Sequence, residues 1–341
     1  MQITIPEARA LTIDTFKAGL VPMIAGSPGL GKSDYLKSIA DEFDLKVIDV
    51  RLSQADSVDL NGFPTIDKDA GVSRYIPFDT FPTEKMPLPE GKKGWLLLLD
   101  EINSAPNLVQ AAAYKLILDR EVGQEKLHEK VITVAAGNLS TDKAIVNKLS
   151  TAMQSRLVHL QVKADLPSWA NWARKPENDI DYRVLAFLQF KPDLLHKFDP
   201  DHNDVTFPCP RTWHFLSRLV KGMKELTNDK LPLLAGTVGE GPAIEFKVFA
   251  DIFETLPTKK QLIDMPEHVQ ISDDPSVKFA LTALVANIAD TDNIDPLLKF
   301  IERLPLEFQV ICMQNIFQKS MELLQHPLVV KWKIAHASEL I

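Results

Sequence analysis

The most specific chemical signal in this chain is Gly26-Ser27-Pro28-Gly29-Leu30-Gly31-Lys32-Ser33, which fits the pattern G-x-x-x-x-G-K-[ST] without a mismatch. Glycines at these spacings let the backbone curl so that its N–H groups face phosphate oxygens. Lys32 adds a point charge for the β- and γ-phosphates, and Ser33 offers a hydroxyl to Mg²⁺. The segment follows the apolar run 20–25 and precedes a helical stretch over 34–43. Strand, loop and helix in that order are the context a phosphate loop needs.

A second signal is Leu96-Leu97-Leu98-Leu99-Asp100-Glu101. Four apolar residues drive a strand into an interior, and two carboxylates emerge at its C-terminal end, where ligands sit in open parallel sheets. Two acids after a strand also suit a helix N-cap and first turn. Downstream of a complete phosphate loop they fit better as a carboxylate that holds Mg²⁺ through water, Asp100, and a general base that polarises an attacking water, Glu101. Ala135-Ala136-Gly137-Asn138 ends another apolar run with an amide. If that strand neighbours the phosphate-loop strand, Asn138 reaches the γ-phosphate or the lytic water. Gly-Asn-Leu-Ser is equally good turn chemistry. Arg156 lies just before the last apolar run, and Arg211 opens a helix behind Pro210, a residue suited to a first helical turn. By type alone, either arginine suits a solvated surface as well as a phosphate.

Positioning these residues takes a layered α/β scaffold. Five short apolar runs read as buried strands, at 21–25, 47–52, 95–99, 131–135 and 158–162. The run 96–99 is apolar on both faces, as a central parallel strand requires. Helical patterns at 34–43 and 106–119 alternate with the strands, which implies a parallel sheet between helical layers. Residues 3–19 read as a lead-in and a helix with Ala8, Leu11, Phe16 and Leu20 on or near one face. The connection 53–94 is unusually long and carries Pro64, Pro77, Pro82, Pro87 and Pro89, so it is either functional or partly mobile. Residues 121–130, with Gly123 near a turn, suit a hairpin. Beyond residue 162 the patterns turn helical, at 166–173, 181–189, 210–226, 243–256, 275–289, 294–304 and 308–324. Trp169 and Trp172 lie one helical turn apart and suit core packing.

Taken in order, these motifs resemble those of an AAA+ ATPase, and of its MoxR-like branch in particular. Residues 26–33 resemble Walker A and residues 96–101 resemble Walker B. Asp100-Glu101-Ile102-Asn103, followed by Ala105-Pro106 and Val109-Gln110-Ala111-Ala112, is especially similar to MoxR-type sequences. Asn138 falls on sensor 1 and Arg211 on sensor 2. Arg156 falls on the trans-acting arginine finger, with Leu157 in place of an aromatic residue. Residues 69–94 match the branch's helix-2 insert, here rich in proline, and 121–130 match its hairpin before sensor 1.

The resemblance implies a P-loop αβα core with a five-stranded parallel sheet over 1–165, an all-α lid over 166–265 and a C-terminal helical extension over 266–341. It implies ATP and Mg²⁺, and a ring, usually a hexamer. In that ring Lys32, Ser33, Asp100, Glu101, Asn138 and Arg211 serve the nucleotide in cis, and Arg156 reaches a neighbour's γ-phosphate. Such ATPases often act with a protein carrying a von Willebrand factor A domain, as chaperones that mature or remodel complexes. A nucleic-acid motor and a nucleotide-dependent scaffold with little turnover are the alternatives.

Bulk properties fit. The 341 residues allow two or three domains, and 45% hydrophobic with 25% charged residues is ordinary for a soluble globular chain. A net charge of −8 argues against broad nonspecific binding to nucleic acid, while leaving a local basic pore open. The two cysteines, Cys209 and Cys312, form no metal pattern and suit a reducing compartment or independence from disulfides. No apolar run approaches the roughly 18 residues of a membrane span. Residues 1–9 lack the pattern of a signal peptide, so a cytoplasmic location is expected. The eight histidines form no H-x-x-x-H pair.

Overall fold

A computed structural model describes residues 1–68, 71–142, 147, 149–201 and 204–337; positions 69 and 70 of the expected insert lie outside them. Residues gather into two units, one built on Met1–Ala164 and one on Asp165–Phe198 together with the described residues from 204 onward.

Among the described residues, the first unit has ten strands. These are β1 (Gln2–Ile3), β2 (Val21–Ala25), β3 (Leu45–Arg51), β4 (Phe63–Asp67), β5 (Val72–Ile76), β6 (Gly94–Asp100), β7 (Glu121–Val122), β8 (Glu125–Lys126), β9 (Val131–Gly137) and β10 (Leu157–Val162). Six of them form one parallel sheet in the order β1-β10-β2-β9-β6-β3. The expected sheet had five strands. The sixth, β1, is a two-residue strand beside β10, too short to leave an apolar period in the sequence.

Helices cover both faces: α1 (Ile5–Lys17), α2 (Lys32–Glu42), α3 (Ser57–Asn61), α4 (Asn107–Leu118) and α5 (Thr151–Gln154) belong to this unit. Side chains alternate along a strand, so one apolar run must feed two cores. Leu96 and Leu98 pack with Ile24, Leu36, Ile39 and Val134 on the α2 side. Leu97 and Leu99 pack with Ile48, Val109, Ala113 and Leu116 on the α4 side. The four leucines are wholly buried. The result is a three-layered α/β core, a parallel sheet between helices, followed by a helical region.

Two local expectations change. Helix α1 buries Ala8, Thr12 and Thr15, while Leu11 and Leu20 are exposed. Small residues at that spacing let the helix sit close to the sheet, which the apolar count alone misjudges. The long connection carries the antiparallel hairpin β4–β5, with Phe63 facing Ile76 and Ile66 facing Ser73. Phe63, Ile66, Val72, Tyr75 and Ile76 all lie exposed on it. The hairpin expected over 121–130 is present as β7–β8.

The second unit is helical: α6 (Leu166–Ala173), α7 (Tyr182–Phe190), α8 (Pro210–Val220), α9 (Leu231–Val238), α10 (Glu240–Asp251), α11 (Lys259–Asp264), α12 (Pro275–Ile288), α13 (Ile294–Ile301), α14 (Leu306–Phe317), α15 (Met321–Gln325) and α16 (Pro327–Ala335). Helix α8 stops short of its expected end because Gly222 takes φ +79°. Helix α12 packs on both α7 and α14. Among the described residues no helix is long and apolar enough to cross a membrane.

One buried ion pair fastens α7 to α8. Arg183 grips Asp181 through Nε and Nη2 at 3.0 and 2.9 Å, and its Nη1 and Nη2 donate to the carbonyls of Met223 and Val220, both at 2.8 Å. The two side chains are 6% and 5% exposed. Removing one partner strands a charge without water. Arg183→Ala is therefore expected to destabilise the chain by about 3–5 kcal/mol, read as a lower urea midpoint. A change within about 0.5 kcal/mol would mean that the pair is solvated.

Candidate nucleotide-binding site

The loop after β2 has the conformations its glycines predict. Gly29 and Gly31 take φ +78° and +83°, where a side chain would strain the backbone. Gly26 is held to close approach instead: a Cβ there would lie 2.5 Å from Val162 Cγ2. Gly31 is the N-cap of α2 and offers no capping side chain, so the first N–H groups of this 11-residue helix are open to an anion. Ser27, Pro28 and Leu30 complete the loop, with Leu30 anchored in the α2-side core.

Lys32 is 9% exposed. Its Nζ donates to the carbonyls of Gly26 at 2.7 Å and Ser27 at 3.0 Å, and to Asn138 Oδ1 at 3.3 Å. Ser33 Oγ donates to Asp100 Oδ2 at 2.7 Å, so the two groups expected at a metal stand side by side. Asp100 Oδ1 accepts the Glu101 N–H at 2.8 Å. Glu101 itself sits in the left-handed region at φ +57°, which turns the chain sharply after β6.

Strand order explains the convergence. β9 lies between β2 and β6, pairing Ala25 with Gly137 on one side and Leu99 with Ala135 on the other. The tips of three neighbouring parallel strands thus bring Lys32, Ser33, Asp100, Glu101 and Asn138 to one end of the sheet. The condition set for Asn138, a strand beside the phosphate loop, is met.

No family model and no curated protein matches this chain. Among solved structures it is similar to a candidate ATPase from Cytophaga hutchinsonii, at 13% identity over 98% of this chain and 88% of that chain, with TM-score 0.38. It is also similar to the Thermotoga maritima RuvB Holliday junction branch migration motor, at 13% identity over 88% and 86% of the two chains, with TM-score 0.37. These likenesses are too loose to carry an activity across.

Arg156 is not with the others. It is exposed, immediately before β10, whose register pairs Leu157 with Val21 and Gln161 with Ala25. It therefore stands at the strand starts, and the phosphate loop at the strand ends, about 17 Å away at 3.3 Å per residue. Its Nη1 donates to Ala152 O at 2.9 Å, and the guanidinium lies 5.2 Å from the Tyr114 ring centre. Arg211 belongs to the other unit, exposed in the first turn of α8.

Two residues escaped the sequence reading. Ser53 Oγ donates to Glu101 Oε2. Asn103, 7% exposed, holds the backbone of Asn138 with its amide. For Ser53 no signal marked it out. Asn103 stood inside a quoted motif without a role.

Proposed function

We propose that this chain is an ATP-hydrolysing AAA+ ring ATPase of MoxR type that remodels or matures a protein complex. The convergence of Lys32, Ser33, Asp100, Glu101 and Asn138 at the phosphate-loop end of the sheet carries the proposal. The open N–H groups of α2 and the charge of Lys32 bind the β- and γ-phosphates. Ser33 and Asp100 would hold Mg²⁺ together with phosphate oxygens and water, and when bound it would offset charge on those oxygens. Glu101 takes a proton from water as the water oxygen attacks the γ-phosphorus. The bond to the bridging oxygen breaks, giving ADP and phosphate, while Asn138 orients the water or the γ-phosphate.

Arg156 lies too far along the sheet to serve its own site. The reading that uses it is a ring, hexameric by family resemblance, in which it reaches the neighbour's γ-phosphate. We assign 1–165 to the nucleotide core, 166–265 to a lid that brings Arg211 to the nucleotide in cis, and 266–341 to a helical extension. The exposed apolar residues of β4–β5 support a protein rather than a nucleic acid as the substrate, as does the net charge of −8. A partner with a von Willebrand factor A domain, in the cytoplasm, is the one the resemblance implies.

Lys32→Ala tests the base of the proposal. Loss of a desolvated, hydrogen-bonded cation is expected to weaken Mg-ATP binding by about a hundredfold or more in calorimetry. Near-unchanged affinity would remove the phosphate-loop assignment. For the substrate, the readout is what a Glu101→Gln trap retains when ATP is present. Retention on DNA at moderate salt would favour a nucleic-acid motor.

A further inference from the structure

The amide of Asn103 lies where the β6–β9 ladder runs out. The last paired residues are Leu99 and Ala135, and beyond them the two strand tips carry the acid pair and Asn138. Asn103 follows the acids in a single 3-10 turn, Ile102–Ser104. Its Nδ2 donates to the Asn138 carbonyl at 2.6 Å, and its Oδ1 accepts the Asn138 N–H at 3.1 Å. A side chain thus makes both bonds that a neighbouring strand would have made. Its own carbonyl accepts the Asn147 N–H at 2.6 Å, and Asn147 Nδ2 donates to Ala105 O at 2.8 Å. Gly137 leaves it room: a Cβ there would collide with the Asn103 amide and would lie 2.8 Å from Met23 Cε.

We propose that Asn103 is a positioning residue that fixes Asn138 against Lys32 and so couples the acid turn to the γ-phosphate end of the site. The proposal rests on the reading of Asn138 as the group that orients water or γ-phosphate. Asn138 Oδ1 already meets Lys32 Nζ, so any rotation of its backbone swings that amide away from the phosphate loop. With both backbone bonds made by one rigid amide, the strand tip has one orientation. With neither, it has several, and a displacement of about 1 Å is enough to cost about a hundredfold in rate. A buried amide that merely satisfied its own donors would have no such effect on turnover.

The test uses the full chain and two independent readouts. The first needs no nucleotide. Hydrogen exchange at the Asn138 amide should quicken about tenfold in Asn103→Ala, the equivalent of one lost hydrogen bond. The second is turnover with Mg-ATP. Asn103→Ala should lose about a hundredfold in kcat while affinity for Mg-ATP stays within about threefold. Gly137→Ala should do the same from the other side by displacing the amide. The double variant Asn103→Ala, Asn138→Ala should be no slower than Asn138→Ala alone, because both act through one group. Losses that multiply, or unchanged exchange at Asn138 in Asn103→Ala, overturn the coupling. Should Asn103→Ala fail to fold, Gly137→Ala decides by both measurements, and Asn103→Asp, which keeps the acceptor for the Asn138 N–H but loses the donor to its carbonyl, decides by turnover. An Asn138→Ala protein with wild-type turnover would instead sink the reading of Asn138, while the exchange result still judges the clamp.

Discussion

Glu101→Gln is expected to keep Mg-ATP bound and to lose about 10²–10⁴-fold in turnover, the range a positioned general base contributes. The substitution is nearly isosteric. A glutamine oxygen still accepts from Ser53 Oγ, so the contact that restrains the side chain can persist. The turn that carries it also persists, because its geometry rests on Asp100 Oδ1 taking the residue-101 N–H at 2.8 Å and on the Ser104 N–H to residue-101 carbonyl bond, also 2.8 Å. Neither bond uses the carboxylate. What disappears is the capacity to take a proton. Binding measured by calorimetry and turnover measured at saturating Mg-ATP separate the two effects. Turnover within about twofold of wild type would mean that another residue is the base.

The parts of this site that were legible in the sequence are those whose chemistry is local. The phosphate loop needs glycines, a lysine and a hydroxyl at fixed spacing, all within eight residues. The acid pair needs an apolar run before it. Leu96 to Leu99 announce a strand buried on both faces because no polar residue interrupts them. Ser53 and Asn103 were illegible for the converse reason. Each is a single small polar residue, and its partner lies 48 or 35 positions away. Only the strand order, with β3 and β9 flanking β6, makes them neighbours of Glu101 and Asn138.

The errors in the fold have the same character. Leu11 and Leu20 looked like core residues on hydrophobicity, yet the sheet-facing stripe of α1 is built from Ala8, Thr12 and Thr15. The β4–β5 hairpin hid behind Pro64 and a pattern whose large apolar residues face solvent. Burial normally drives the alternation by which strands are read, and here it is missing. With both faces of the hairpin exposed, it leaves no core periodicity in the sequence, so a search for buried strands passes over it.

Arg156→Ala is expected to lose on the order of 10³–10⁵-fold in turnover with ATP binding largely intact, and it decides between a ring enzyme and a self-sufficient one. An arginine supplied by a neighbour stabilises charge that builds on the transferred phosphoryl oxygens only in the transition state, so it acts on rate rather than on ground-state affinity. The substitution costs the fold little. Arg156 is exposed, and its contacts to Ala152 O and the Tyr114 ring are of the kind that alter stability by about 0.5 kcal/mol or less. An unchanged melting temperature therefore excludes unfolding as the cause. Mixing then assigns the interface. Glu101→Gln subunits lack the base and keep the finger, and Arg156→Ala subunits lack the finger and keep the base. Where the two co-assemble, some interfaces join an intact base to an intact finger, and those should recover activity that neither variant has alone. Co-assembly is verified by capture of an untagged variant on a tagged one. Recovery requires that the two groups come from different chains, since no single subunit in the mixture holds both. An Arg156→Ala protein that hydrolyses ATP at the wild-type rate would reduce Arg156 to a surface arginine and remove the physical reason for a shared site.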